Sequence, residues 1–103
     1  MATKKVVKKS SKKVERVLRK GNKVLIRTVS YFLTGEIVHM DDKFLLLKDS
    51  AWVADTGRFN EALKTGVLNE VEPVYTEDTL AEVSLGAIVD SFTWDHPLPR
   101  EVK

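Results

Sequence analysis

The chain has no cysteine, two histidines and three prolines among its 103 residues. Without thiols there are no disulfides and no thiolate zinc sites, and His39 and His96 lie too far apart in sequence to suggest a metal centre. No apolar run approaches the roughly 20 residues needed to span a bilayer, and no apolar stretch of signal-peptide type follows the charged N-terminus. The expected location is therefore the cytoplasm, or the host cytoplasm if the chain is of phage origin, with no membrane partner. Gly-rich phosphate loops, nucleophile elbows and HExxH patterns are also missing, so an enzyme would have to be built from scattered residues. The expectation is a non-catalytic protein with no cofactor, no metal and no catalytic residues.

What is present is enough apolar material for one compact domain, 43% of the residues, and a strong polarity of charge. Residues 1–23 carry ten Lys or Arg against Glu15 alone, a net +9, while the remainder carries seven against fourteen, a net −7. A basic arm on an acidic body fits a nucleic-acid binder, because each cation seated on a phosphate releases a condensed counterion. Two other readings carry similar weight: a lysine-rich terminus that serves solubility, and an acidic body that holds the arm against itself at low salt.

Val14, Val17 and Leu18 fall at helical i, i+3, i+4 spacing, and Gly21-Asn22 supplies a stop with Arg19 and Lys20 at the favourable end of the helix dipole. This predicts a short helix from about Ser11 to Lys20, docked on one end of the domain with Lys12, Lys13, Arg16 and Lys20 in solvent. A strand from Lys23 to Val29 follows. In the next run, Leu33, Gly35, Ile37, His39 and Asp41 alternate with Phe32, Thr34, Glu36, Val38 and Met40, as on the two faces of a strand. Asp41-Asp42-Lys43 are turn-forming residues, and Phe44 to Leu47 resume as a strand apolar on both faces. Gly35 in mid-strand predicts a sharp bend or a close backbone approach.

The run Gly35-Glu36-Ile37-Val38-His39-Met40-Asp41, closed by Leu46-Leu47-Lys48-Asp49, resembles the first motif of the Sm-like (LSm/Hfq-like) family. The likeness covers roughly residues 12–49 and includes the basic stretch Val14 to Lys20 ahead of the first strand. Val83 to Asp90, with Gly86, resembles the second motif. The resemblance implies a mainly β fold with short helices, a strongly bent, five-stranded antiparallel small barrel with an N-terminal helix, from which this chain is expected to depart by a helical insertion. It also implies a homo-oligomeric ring of five to seven subunits, paired edge to edge through the region Val83 to Phe92, that binds single-stranded RNA or DNA. The second motif departs from the family, with Ser84-Leu85-Gly86 where relatives carry cations, and Lys43 stands where Hfq-type proteins keep a stacking aromatic. Binding is therefore expected to rest on the arm and rim: Lys8, Lys9, Lys12, Lys13, Arg16, Arg19 and Lys20, with Asp42, Lys43 and Gly86 at the pore. Asp41 is expected to anchor its turn through backbone hydrogen bonds.

The organisation expected is a basic arm over 1–10, a barrel domain over 11–92 with an insertion at about 50–79, and a proline-containing tail over 93–103. Within the insertion, Ala51 to Ala54 reads as strand. Asp55-Thr56-Gly57 reads as candidate N-caps for a helix over Arg58 to Lys64, stopped by Gly66, with Phe59, Ala62 and Leu63 facing the barrel. The acidic stretch around Pro73 reads as an edge strand or loop. In the tail, Trp94 and Leu98 are expected to pack on the barrel or a neighbour, with stacking of Trp94 or His96 on a base as the alternative. The tail and Trp52 to Phe59 together also resemble a group of small tailed-bacteriophage proteins. That likeness implies the alternative role, a ring-shaped structural or assembly component of a phage particle.

Overall fold

A computed structural model describes residues 15–74, 76 and 78–103. Six strands make one antiparallel sheet: β1 (Lys23–Thr28), β2 (Phe32–Met40), β3 (Phe44–Asp55), β4 (Glu70–Pro73), β5 (Ala81–Ser84) and β6 (Ile88–Thr93). One α-helix, α1 (Phe59–Thr65), lies between β3 and β4, and a 3-10 turn over Leu85–Ala87 joins β5 to β6. The order is β4-β3-β2-β1-β6, with β5 also on β3. The mainly β expectation holds, with six strands rather than five.

The extra strand arises because β3 is twelve residues long and divides its outer edge. Phe44 to Leu47 pair with β5, and Ala51 to Asp55 pair with β4. Chain β5, the 3-10 turn and β6 then return to β1, where Arg27 Nε and Nη2 donate to the Asp90 carboxylate at 2.9 and 2.6 Å. The sheet bends around a first core of Val24, Ile26, Leu33, Ile37, Leu45, Leu47 and Val83. Its opposite face holds a second core, in which Leu25, Ala51, Val53 and Val71 meet Ala62 of α1 and Trp94 of the tail.

Two bulges let one sheet serve both cores. Thr34 pairs with Ala51 while Glu36 pairs with Lys48, so β3 holds one extra residue there, and Asp49 takes a φ of +51°. Odd-numbered residues of β3 therefore face the first core at Leu45 and Leu47 and the second at Ala51 and Val53. The second bulge puts an extra residue into β2, because Ile37 opposes Leu47 and His39 opposes Leu46. Strict alternation assigns Met40 to the face opposite Ile37, yet Met40 packs on the same core. The bulge is the reason.

Gly35 sits at the first bulge, where a Cβ would lie 3.0 Å from the Leu47 Cβ and 3.3 Å from the Lys48 carbonyl oxygen. The close approach expected from the sequence is thus present. Gly35→Val should lower stability by about 1–3 kcal/mol, the usual range for overpacking, through strain between β2 and β3. Urea unfolding checks this, and a loss within error of zero would mean that the bulge relaxes at no cost.

The expected helix over 11–20 differs from what is described. Residues 11–14 lie outside the described residues, and Val17 to Lys20 form bends and a turn. Asn22 takes over the closing bonds, its Nδ2 donating to the Val17 carbonyl at 3.0 Å and its backbone N–H to the Arg19 carbonyl at 3.1 Å. Such local side-chain bonding competes with helix. Val17 and Leu18 still dock on the first core, as their spacing suggests.

Helix α1 forms where expected and ends at Gly66, whose φ is +78° and whose N–H donates to the Ala62 carbonyl. Phe59, Ala62 and Leu63 face the second core. None of the proposed caps acts as one, however. Arg58 occupies the N-cap without a side-chain bond, and Asp55 instead accepts from the Gly57 N–H at 2.8 Å. β4 takes up the start of the acidic stretch as an edge strand.

The tail crosses the second core. Trp94 is 1% exposed, and its backbone N–H donates to the Lys23 carbonyl while its indole N–H donates to that of Pro97. His96 donates from Nε2 to the Leu63 carbonyl at 2.7 Å, and its ring lies against Gly66. Trp94 thus packs on the barrel side of the tail as expected and leaves no open face for base stacking, while His96, half-buried, is hydrogen-bonded to the end of α1. Leu98 packs alongside, and Lys103 exchanges both backbone bonds with Val71 on β4.

Candidate nucleic-acid interface

Of the cations proposed for binding, Lys8, Lys9, Lys12 and Lys13 lie outside the described residues. Arg16, Arg19 and Lys20 are exposed on the segment that leads into β1. Gly21 donates to the Ile37 carbonyl at 2.7 Å, and Ile37 donates back to the Asn22 carbonyl at 2.9 Å. This pair of bonds extends the β1–β2 ladder by one step and holds the root of the basic segment on the sheet. Arg19 also lies 3.5 Å from Glu15, an exposed pair of little energetic weight that leaves its guanidinium open to competition from a phosphate.

The structure places the second group proposed from the sequence on two neighbouring turns. Asp41 Oδ1 accepts from the backbone N–H groups of Lys43 and Phe44 at 2.8 and 3.0 Å, and the Asp41 N–H donates to the Phe44 carbonyl. The carboxylate thus anchors the turn rather than facing a ligand. Asp42 and Lys43 project from it into solvent. The Lys43 carbonyl accepts from the Leu85 N–H at 2.9 Å, which places the Asp42-Lys43 turn beside the 3-10 turn that holds Gly86. Gly86 is open on its free side, the nearest atom to a built Cβ being the Ser84 Oγ at 3.8 Å. Val17, Leu18, Met40, Leu85 and Ile88 all pack on the first core, so basic segment, acidic turn and 3-10 turn rest on one apolar body.

His39 was not singled out by the sequence, although its position two residues before Asp41 was a usable signal. Its Nε2 lies 3.2 Å from Asp41 Oδ2. The two backbone N–H donors, and then His39, hold the Asp41 carboxyl below its ordinary value of 3.8. A depressed folded-state pKa adds stability that is present above that value and is lost as pH falls through the lower folded one. Asp41→Asn should therefore be less stable than the parent at neutral pH, with the gap closing only below pH 3.8. Thermal unfolding as a function of pH checks this, and a gap that persists unchanged at the acid end would contradict it.

A further surface feature was missed entirely. Tyr31, in the β1–β2 turn, and Trp52, on β3, stack with ring centroids 5.0 Å apart and planes 23° from parallel. Trp52 is 56% exposed and Tyr31 38%, with Val29 at 89% beside them. The pair forms a ridge between two clefts of about 390 and 470 Å³. Glu82 lines one cleft, and Glu70 and Glu72 line the other. Sequence periodicity placed Trp52 in a strand but gave no hint of its stacking partner, which arrives from a turn.

Among the described residues, no group of three His, Cys, Asp or Glu side chains is placed to hold a metal ion, and no helix is long and apolar enough to cross a membrane. Comparison with protein-family models, with curated proteins and with solved structures finds no match to this chain.

Proposed function

We propose that the chain is a non-catalytic protein that binds single-stranded nucleic acid, RNA foremost, through its basic N-terminal segment, on an Sm-like small barrel assembled into a ring. The observation that carries this reading is the segregation of charge: a net +9 over residues 1–23 against −7 over the rest. The root of that segment is fixed to β2 by the Gly21, Asn22 and Ile37 bonds, with Arg16, Arg19 and Lys20 exposed. A tethered cluster of cations on a fixed root captures phosphates by counterion release without needing a shaped pocket.

Support for the ring comes from the strand edges. Among the described residues, β5 pairs only with β3 and β6 only with β1, so each presents an outer edge with free backbone groups. Such edges invite pairing, and a head-to-tail contact between β5 of one copy and β6 of the next closes into a ring. Five to seven copies are proposed. The Asp42-Lys43 and Gly86 turns would then line the pore.

The test is a titration of the full chain with single-stranded RNA, single-stranded DNA and duplex across a salt series, run with native mass measurement. Binding to single strands should weaken with a log–log slope of about −3 or steeper, as expected for four or more phosphate contacts. A salt-insensitive affinity, or none at physiological ionic strength, would sink the binding claim. A monomeric mass would sink the ring.

A further inference from the structure

The Tyr31–Trp52 ridge has the wrong surroundings for a base-stacking platform. Glu72 stands opposite Trp52 in the β3–β4 ladder, Glu70 shares its cleft, and Glu82 lines the cleft on the other side. None of the three has an ion-pair partner among the described residues. Among the described residues, Lys103 is the one cation lining either cleft. A polyanion is repelled from such a face, whereas an ammonium group finds an exposed indole and unpaired carboxylates within reach of one another.

We propose that this face docks the chain's own N-terminal segment, residues 1–14, and holds it until nucleic acid competes for its lysines. The segment reads Lys4-Lys5-Val6-Val7-Lys8-Lys9, two apolar residues between paired cations. Val6 and Val7 match the apolar surface of Trp52 and Val29, and the flanking lysines match Glu72, Glu70 and Glu82. Geometry permits the contact within one chain. The described residues begin at Glu15, close to the start of β1, and Tyr31 follows the end of β1, a strand of six residues that spans about 20 Å. Fourteen extended residues reach up to about 46 Å. Tethering gives an effective concentration of about millimolar, so individually weak contacts suffice at low ionic strength.

The docking itself does not depend on nucleic-acid binding; only its role as a brake rests on the function proposed above. The chain's two tryptophans make the contact observable, because Trp94 is 1% exposed and Trp52 56%, so acrylamide quenching of fluorescence reports mainly on Trp52. The full chain and a variant lacking residues 1–14 are compared at about 20 and about 500 mM salt, ionic strengths at which exposed charges are weakly and strongly screened. At low salt the full chain should be quenched about half as efficiently as the shortened one, and high salt should abolish the difference. A synthetic peptide of residues 1–14 added to the shortened chain should restore protection, and Glu72→Gln with Glu82→Gln should remove it. The same double substitution should tighten binding of a uridine-rich oligonucleotide several-fold at low salt.

Equal quenching of the full and shortened chains at low salt would overturn the proposal, as would protection unaffected by the double substitution. Protection that grows with protein concentration would assign the segment to a neighbouring copy and overturn the same-chain arrangement. Protected Trp52 without oligonucleotide binding would leave the docking standing and remove the function proposed above; binding without protection would do the reverse.

Discussion

Removal of residues 1–14 should weaken binding to single-stranded RNA by about a thousandfold at moderate salt and flatten its salt dependence. Six of the chain's cations go with that segment, namely Lys4, Lys5, Lys8, Lys9, Lys12 and Lys13, and the formal charge passes from +2 to −4. If four to six of them sit on phosphates, a slope of about −3 to −4 disappears with them. What remains is an acidic body bearing Arg16, Arg19 and Lys20. The cut is placed before Glu15 because the stretch from Val17 to Asn22 is structural: Val17 and Leu18 cover the first core, and Gly21 and Asn22 bond to Ile37. A deletion through residue 20 would confuse lost binding with lost stability. Fluorescence anisotropy over a salt series reads the outcome. Undiminished affinity in the shortened chain would move the site to the body and contradict the functional reading.

The largest expected effect on stability belongs to Trp94→Ala. The indole is the biggest of the fully buried side chains, and it joins α1, the tail and the sheet in one core. Truncating a buried tryptophan costs about 3–5 kcal/mol, from lost transfer energy and the cavity left behind. Against a total stability of about 5–15 kcal/mol this approaches global unfolding. The midpoint of thermal unfolding should fall by about 15 °C or more. The tail should also loosen, since the indole's packing on the second core and its N–H bond to the Pro97 carbonyl are lost, leaving the Trp94 backbone bond to Lys23 and the His96 bond to Leu63 to hold it. Circular dichroism on heating measures the first effect, and amide exchange at Lys103 and Val71 the second. A fall of only a few degrees would mean that the second core closes over the cavity.

Strands and turns that depend on local chemistry were legible in the sequence. Asp41 at a turn, Gly35 at a crowded crossing, and the α1 face of Phe59, Ala62 and Leu63 each follow from residue type and spacing over a few positions. Where individual side-chain bonds and strand register decide, the sequence was a poorer guide. Asn22 bonds back to Val17 and replaces a helical turn that Val14, Val17 and Leu18 suggested. The bulge near Val38 returns Met40 to the face of Ile37, which no period-2 pattern can anticipate. For the candidate site, charge segregation was visible because it is a count. The Tyr31–Trp52 ridge was not, because its rings come from segments 21 positions apart in the chain, joined only by the β2–β3 pairing.

The pairing of β1 with β6 also bears on how the chain finds its fold. Arg27 and Asp90, which lock that pairing, are 63 residues apart in sequence, whereas β1, β2 and β3 follow one another through short turns. Loop-closure entropy delays contacts of such separation until local ones have formed. The β1–β2–β3 meander should then form first, with docking of the last strand the slow step, in about milliseconds to seconds. Until that strand arrives, the outer edge of β1 stands open. A nascent chain in that condition can accept β6 from another copy as readily as its own, so exchange of the last strand is the characteristic route by which this topology would misassemble.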